Sequence, residues 1–264
     1  MAEDLWKKHC ALIQSLCFMD DIFFGTCFDG NIECVQYILR IILDKQDLIV
    51  KEVHSQQSVE IFYGRSVRLD VFAEDSAGKL YNIEIQRADE GAIPRRARFN
   101  SSMLDVHSLN KGAHFKDLPE TFVIFITEHD VLKGNEQIYH IERTIKEDGR
   151  SFGDGSKIIY VNGNIRSGSL LGDLMHDFFC RDASKIKGKT LADCATFFKS
   201  PDKGGVIMSS VVEKLIAEGK IEGKIEGKIE DIRALMDSLN LTAQAVMNLL
   251  KISPEMQKEL APLI

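Results

Sequence analysis

The sequence predicts a mixed α/β core in the element order αβββαβ, a mixed sheet flanked by helices, with an α-helical extension at the C-terminus. Three observations carry this reading. Residues 68–87 pattern as a β-hairpin, residues 121–127 (TFVIFIT) form an unbroken apolar run behind a helix that Pro94 can open, and the chain after residue 170 has helical rather than alternating periodicity.

Each element has its own reason. In residues 32–43, IECVQYILRIIL, the polar Glu33, Gln36 and Arg40 interrupt an apolar run at helical spacing, which predicts a mostly buried helix with Asp29-Gly30-Asn31 as its turn and cap. Residues 48–53 and 59–63 are short β-rich runs leading into the hairpin. Pro94 suits the first turn of a helix, where a missing N–H goes unnoticed, and residues 95–109 continue it with Ala97, Met103, Leu104 and Leu109 as apolar positions. The run 121–127, bounded by Pro119 and charged residues, predicts a central strand buried on both faces. Residues 138–143 and 157–161 extend the sheet or form an adjoining hairpin, and 170–179 and 191–198 are amphipathic helices. The expected organisation is a core at 1–165, a helical extension at 166–217 and a last module at 218–264.

The hairpin carries the chemistry. Asp75-Ser76-Ala77-Gly78 is a turn cluster, and a three-residue loop with Gly78 in the left-handed conformation pairs Asp75 with Lys79. Paired positions then sum to 154, so Asp70 falls opposite Glu84. Phe72, Asn82 and Gln86 share that face, while Leu69, Val71, Ile83 and Ile85 point the other way. Like charges directly opposed on a sheet are destabilising. A divalent cation between the carboxylates compensates, since hard ions take oxygen ligands. On spacing alone the alternatives stay open: two solvated carboxylates on an exposed face, or a loop one residue different that moves Glu84 away.

Composition bounds the rest. At 264 residues with 44% hydrophobic residues, one sizeable domain with an appendage is expected. No apolar run approaches the roughly 20 residues that cross a membrane, and MAEDLWKKHC lacks the features of a signal peptide, so a cytoplasmic protein is expected. The six cysteines form no CxxC pair and read as reduced, packed thiols. A net charge of −7 argues against a general nucleic-acid binder but leaves room for an enzyme with a local basic strip.

The wording RLDVFAED…GKLYNIEIQ, followed by PRRARFNSSMLD, resembles the bacterial family of recombination-promoting nucleases and transposases within the PD-(D/E)XK nuclease superfamily. The resemblance extends from MDDIFFGTCFDG to the EGKIEGKIEGKIE tract. It implies a restriction-endonuclease-like core and a metal-dependent DNA endonuclease linked to recombination, transposition or defence against foreign DNA. Asp70 and Glu84 would hold Mg²⁺, or Mn²⁺ or Ca²⁺ in its place, with the Ile85 backbone carbonyl as a further ligand and Gln86 orienting the attacking water. Leu69 stands where the superfamily's name-giving Pro would be, and Gln86 where Lys is common. A Gln offers an amide but no charge. Arg95, Arg96 and Arg98 read either as phosphate-gripping groups or as a solvated face paired with Asp89 and Glu90. Arg96 lies about 100° from Arg95 around a helix, so the three cannot face one partner. Glu33 reads as an extra acid near the metal or as an N-terminal charge favoured by the helix dipole. The alternative function is a catalytically degenerate nuclease fold that binds DNA or protein.

Near the C-terminus the EGKI repeat stacks Glu over Glu, Lys over Lys, and Gly219, Gly223 and Gly227 in one column. Each Gly costs a helix about 1 kcal/mol, so the tract is a poor helix alone, and either self-association through the Gly column or a semi-flexible connector is expected. Residues 232–239 and 243–250 read as short helices with a third beginning at Pro254. Lacking a basic second helix, they suggest a small interaction module rather than a helix-turn-helix DNA reader.

Overall fold

The computed structural model describes residues 2–59, 67–109, 112–166, 168–239, 241–250, 252 and 254–264. The chain forms two compact units, residues 1–209 and 210–264.

The first unit is built on a six-stranded mixed sheet. Its strands are β1 (Val50–Val59), β2 (Val67–Asp75), β3 (Leu80–Gln86), β4 (Thr121–Thr127), β5 (Ile138–Ile141) and β6 (Ser156–Asn162), in the spatial order β1-β2-β3-β4-β6-β5. The first three strands form an antiparallel meander, β3, β4 and β6 run parallel, and β5 pairs antiparallel with β6 at the edge. Residues 138–143 and 157–161 therefore extend the sheet. The β-rich run expected at 48–53 continues to Val59 as β1, and residues 60–63 of the second expected run lie outside the described residues.

Helices cover the sheet: α1 (Ala2–Ser15), α2 (Asp21–Phe28), α3 (Ile32–Ile42), α4 (Pro94–Ser108), α5 (Leu170–Phe179) and α6 (Lys189–Lys199). Asn31 caps α3, its side chain accepting a hydrogen bond from the Cys34 N–H at 3.1 Å. Pro94 opens α4. The helix connects the parallel strands β3 and β4, as a parallel pair requires. Ala97, Met103 and Leu104 of α4 pack on Phe72, Leu80, Val123, Phe125 and Tyr160 of the sheet. Every residue of β4 is buried, in agreement with the continuous apolar run. Both N-terminal helices escape the sequence reading. Phe23, Phe24 and Phe28 of α2 join Phe18 and Phe178 of α5 in an aromatic cluster with ring centroids 4.5–6.4 Å apart, which anchors α2.

The hairpin turn is built as its residues dictate. Gly78 has φ +76°, its N–H donates to the Asp75 carbonyl at 3.0 Å, and the Asp75 N–H donates to the Lys79 carbonyl at 3.1 Å. The buried Asp75 carboxylate accepts from the N–H groups of Ala77 and Lys79 and from the Tyr81 hydroxyl, at 2.7–2.9 Å. Pairs from Glu74↔Leu80 to Val71↔Ile83 keep the sum of 154. There the ladder stops. Beyond it β2 stays paired with β1, with Gln57 opposite Leu69, and Leu69 is fully buried in the cluster that includes Phe72 and Ala97.

The second unit has a core of its own. Helix α7 (Lys203–Leu239) starts at the end of the first unit, and its residues from Ser210 on, the EGKI tract included, belong to the second. Residues 232–239 are thus its last turns rather than a separate helix. Ile232 of α7 packs with Val246 and Met247 of α8 (Ala243–Leu249) and Leu260 of α9 (Pro254–Leu260).

Gly78→Ala tests the turn. No atom lies within 4 Å of the added Cβ, so only the left-handed backbone is penalised. The expected loss is about 1 kcal/mol in urea unfolding; an unchanged midpoint would contradict the turn geometry.

Candidate metal and phosphodiester site

Where the ladder stops, side chains take over the backbone's hydrogen bonds. The Ile85 N–H donates to Asp70 Oδ2 at 3.2 Å, and the Asp70 N–H points at Glu84 Oε1 at 3.4 Å. Each carboxylate therefore reaches across to the opposite strand. The pairing of Asp70 with Glu84 expected from the register is not a rung of the ladder, which ends at Val71↔Ile83, and the two acids meet just beyond it through these backbone contacts.

Glu84 is fully buried. A charged group there needs a partner, and Arg96 of α4 supplies one, with Nη2 2.8 Å from Glu84 Oε2. The same guanidinium donates through Nη1 to the Gly91 carbonyl at 2.8 Å, which fixes its plane. Asn82, one alternation earlier on β3, is also fully buried, and neither atom of its amide closes a hydrogen bond of ordinary geometry among the described residues. It lies near enough to Glu84 to favour the anion. Even so, the Glu84 carboxyl is raised above the usual carboxylate range, because burial outweighs Arg96. Asp70 is pushed up to about 8, first by burial and then by the Glu84 charge, with the Ile85 N–H and Arg96 opposing. Near neutral pH the pair thus tends to hold a proton.

A third carboxylate stands close by. Asp21, at the exposed start of α2, adds to the upward pressure on Asp70 and feels Arg96 in turn. Its own carboxyl is raised by the protein atoms crowded around it and then by Asp20. Arg87 fixes this arrangement from the end of β3: it donates to the Met19 carbonyl at 3.1 Å, to Asp20 Oδ1 at 3.1 Å and to Glu128 Oε2 at 2.8 Å. The loop entering α2 is thereby tied to the C-terminal ends of β3 and β4. Sequence reasoning missed Asp20, Asp21 and Arg87. Their one signal was the Asp-Asp pair in the MDDIFFGTCFDG stretch.

The other site residues fall as follows. Gln86 ends β3 on the Glu84 side, half-buried, and its side-chain amide has no hydrogen-bond partner among the described residues. Arg95 and Arg98 are exposed on α4, and neither has an ion-pair partner among the described residues, Asp89 and Glu90 included. Arg96 is separated from them by the helical turn and faces inward, as the spacing demands. Glu33 is exposed on α3, and the acid that acts on Asp70 from a helix is Asp21 instead.

A family model described as PD-(D/E)XK nuclease family transposase matches residues 22–164, more than half of the chain. The chain belongs to this family. Among curated proteins and solved structures, none matches it. The family match includes Asp70, Glu84, Gln86 and the three arginines, and it begins one residue after Asp21. The mixed sheet flanked by helices is the fold expected of a PD-(D/E)XK nuclease, a group that generally uses divalent metals.

The donor set fits such an ion. Two carboxylates converge in a poorly solvated place, and their raised affinity for a proton reports an uncompensated negative charge that a cation relieves. Among the described residues no three His, Cys, Asp or Glu side chains form a ready-made cage. Mg²⁺ needs no such cage, since it is commonly held by one or two carboxylates with waters and substrate phosphates completing its shell.

The pair predicts a pH-dependent stability. Below about pH 4 an unfolded Asp is protonated as well, and the site carries no penalty. Between there and about 8 the folded pair retains a proton that the unfolded chain has lost, so stability falls as pH rises, and above 8 the loss is complete. In EDTA, the melting temperature of Asp70→Asn minus that of the parent should widen from pH 5 to pH 8. Parallel profiles would contradict the assigned shift.

Proposed function

We propose that this PD-(D/E)XK family member is a metal-dependent DNA endonuclease whose Asp70 and Glu84 hold Mg²⁺, Mn²⁺ or Ca²⁺. The observation that carries the reading is the apposition of these two acids at the end of a broken ladder, with Asp70 raised to about 8. The Ile85 carbonyl would serve as a further ligand, and Asp21, whose charge acts on Asp70, would contribute through water. When bound, the cation supplies Lewis acidity, lowering the pKa of the attacking water and offsetting charge on the departing 3′ oxygen.

The chain's own residues do the rest. Gln86 orients the attacking water, its amide both donating and accepting. It brings no charge, and Arg96 provides the positive group beside Glu84 that a lysine at position 86 would otherwise bring. Exposed Arg95 and Arg98 grip backbone phosphates on either side of the cut, because a guanidinium offers a rigid donor fork to phosphate oxygens. The setting would be DNA breakage in recombination, transposition or defence. Six free cysteines accord with the reducing cytoplasm, and no helix among the described residues is long and apolar enough to cross a membrane.

A second reading has specific support. Gln86 in place of Lys, together with an arginine already on Glu84, also suits a degenerate nuclease fold that binds DNA or protein without cutting it. Plasmid cleavage with and without Mg²⁺ separates the two. Asp70→Ala should abolish Mg²⁺-dependent cleavage, Gln86→Ala should lose about 10²-fold, and Gln86→Lys should retain activity. Cleavage by Asp70→Ala at the parent rate would end the metal assignment.

The EGKI tract is proposed as a self-association surface that makes a homodimer. Gly219 and Gly227 face open space, where a second helix can approach closely. Replacing Gly219, Gly223 and Gly227 by Ala should raise helicity by up to about 3 kcal/mol in sum while blocking that approach. In sedimentation at equal concentration the parent should be a dimer and the triple variant a monomer. A monomeric parent would end the proposal.

A further inference from the structure

We infer that Gly91 is a positioning residue for Gln86: its missing side chain is the seat on which the Gln86 amide rests. The inference builds on the proposed role of Gln86 and goes beyond it, to the residue that holds that amide in place.

Gly91 lies in the short 3-10 turn Asp89–Ala92 that joins β3 to α4. Glycine there is not required by the backbone. Its φ lies outside the positive range that excludes other residues, and its N–H makes an ordinary turn bond to the Ala88 carbonyl at 3.0 Å. What an alanine would meet is Gln86: an ideal Cβ at position 91 would stand 1.8 Å from Gln86 Oε1, 2.8 Å from its Cδ and 3.5 Å from its Cγ. No atom can approach another so closely, so a single methyl group must displace the amide. The Gln86 side chain has no hydrogen bond among the described residues to hold it otherwise, so the surface of the turn is what confines it.

The same glycine touches the site a second time, through its backbone. Its carbonyl accepts from Arg96 Nη1 at 2.8 Å, and Arg96 Nη2 reaches Glu84. Gly91→Ala keeps that carbonyl, and with it the Arg96–Glu84 pair. The substitution therefore moves one site residue and spares the other, which makes the inference testable.

The experiment is a mutant cycle with two readouts on the full chain. In Mg²⁺-dependent plasmid cleavage at saturating DNA, Gly91→Ala should lower kcat by about as much as Gln86→Ala, on the order of 10- to 100-fold, with KM and melting temperature near the parent's. The double variant Gln86→Ala/Gly91→Ala should lose no more than Gln86→Ala alone, because residues acting as one unit are not additive. A purely structural role would give a second, additive loss and a lowered melting temperature, and that outcome overturns the inference. Independently of any cutting, the Gln86 side-chain NH₂ resonances in a ¹⁵N NMR spectrum, assigned by their loss in Gln86→Ala, should move in Gly91→Ala while the Arg96 Nε–H resonance stays. An unmoved Gln86 amide overturns the inference even if the protein cleaves no DNA. A moved amide in a parent that does not cleave would sustain the seat and remove the nuclease reading alone.

Discussion

Two acids held face to face across a hairpin set the terms for everything around them. Asp70 and Glu84 are brought together by the most local of features, a three-residue turn with glycine at its left-handed position, and the register that follows leaves them nowhere else to go. The cost appears in the backbone: pairing ends at Val71↔Ile83, and the next amides turn to carboxylate oxygens. It appears again in their protonation, since burial lifts both acids and the Glu84 charge lifts Asp70 further. An arginine on Glu84 offsets part of this, and the rest is what a divalent cation would relieve.

The remaining architecture holds that confrontation in place. The β3–α4 connection is short, so the turn at 89–92 lies directly over the end of β3 and delivers Arg96 to Glu84 within the first turn of α4. Both faces of β3 and β4 are covered, every residue but Gln86 being buried, and this withholds water from Glu84. Arg87 ties the loop before α2 to the same strand ends, and an aromatic cluster holds α2 against α5. Helix α5, which follows the matched region, thus supports the placement of α2 and Asp21.

How much of this was legible depended on how local the cause was. The hairpin register as far as Val71↔Ile83, the Gly78 turn, the buried strand at 121–127 and the Pro94 start of α4 all follow from short-range chemistry, and each is found where the sequence puts it. Helix α2 was missed because DIFFGTCF is short and apolar on all sides, so it shows no 3.6-residue pattern to distinguish it from a buried strand. The EGKI tract has poor intrinsic propensity and yet is helical, a case in which its place within a 37-residue helix overrides the local preference. The partner of Arg96 could not be read at all. Helical geometry said only that Arg95, Arg96 and Arg98 must diverge, and tertiary packing decided which one turned inward. Likewise, nothing in the sequence marks Gly91 as different from a glycine in any other turn.

The central claim is that the buried pair exchanges a proton for a cation. Calorimetric Mg²⁺ titration in two buffers of different ionisation enthalpy measures this directly, because any proton displaced from the protein is taken up by the buffer. With Asp70 at about 8, binding at pH 7 should release close to one proton per Mg²⁺, and the release should vanish by about pH 10. Binding without proton release at pH 7, or no binding heat at millimolar Mg²⁺, would contradict the account.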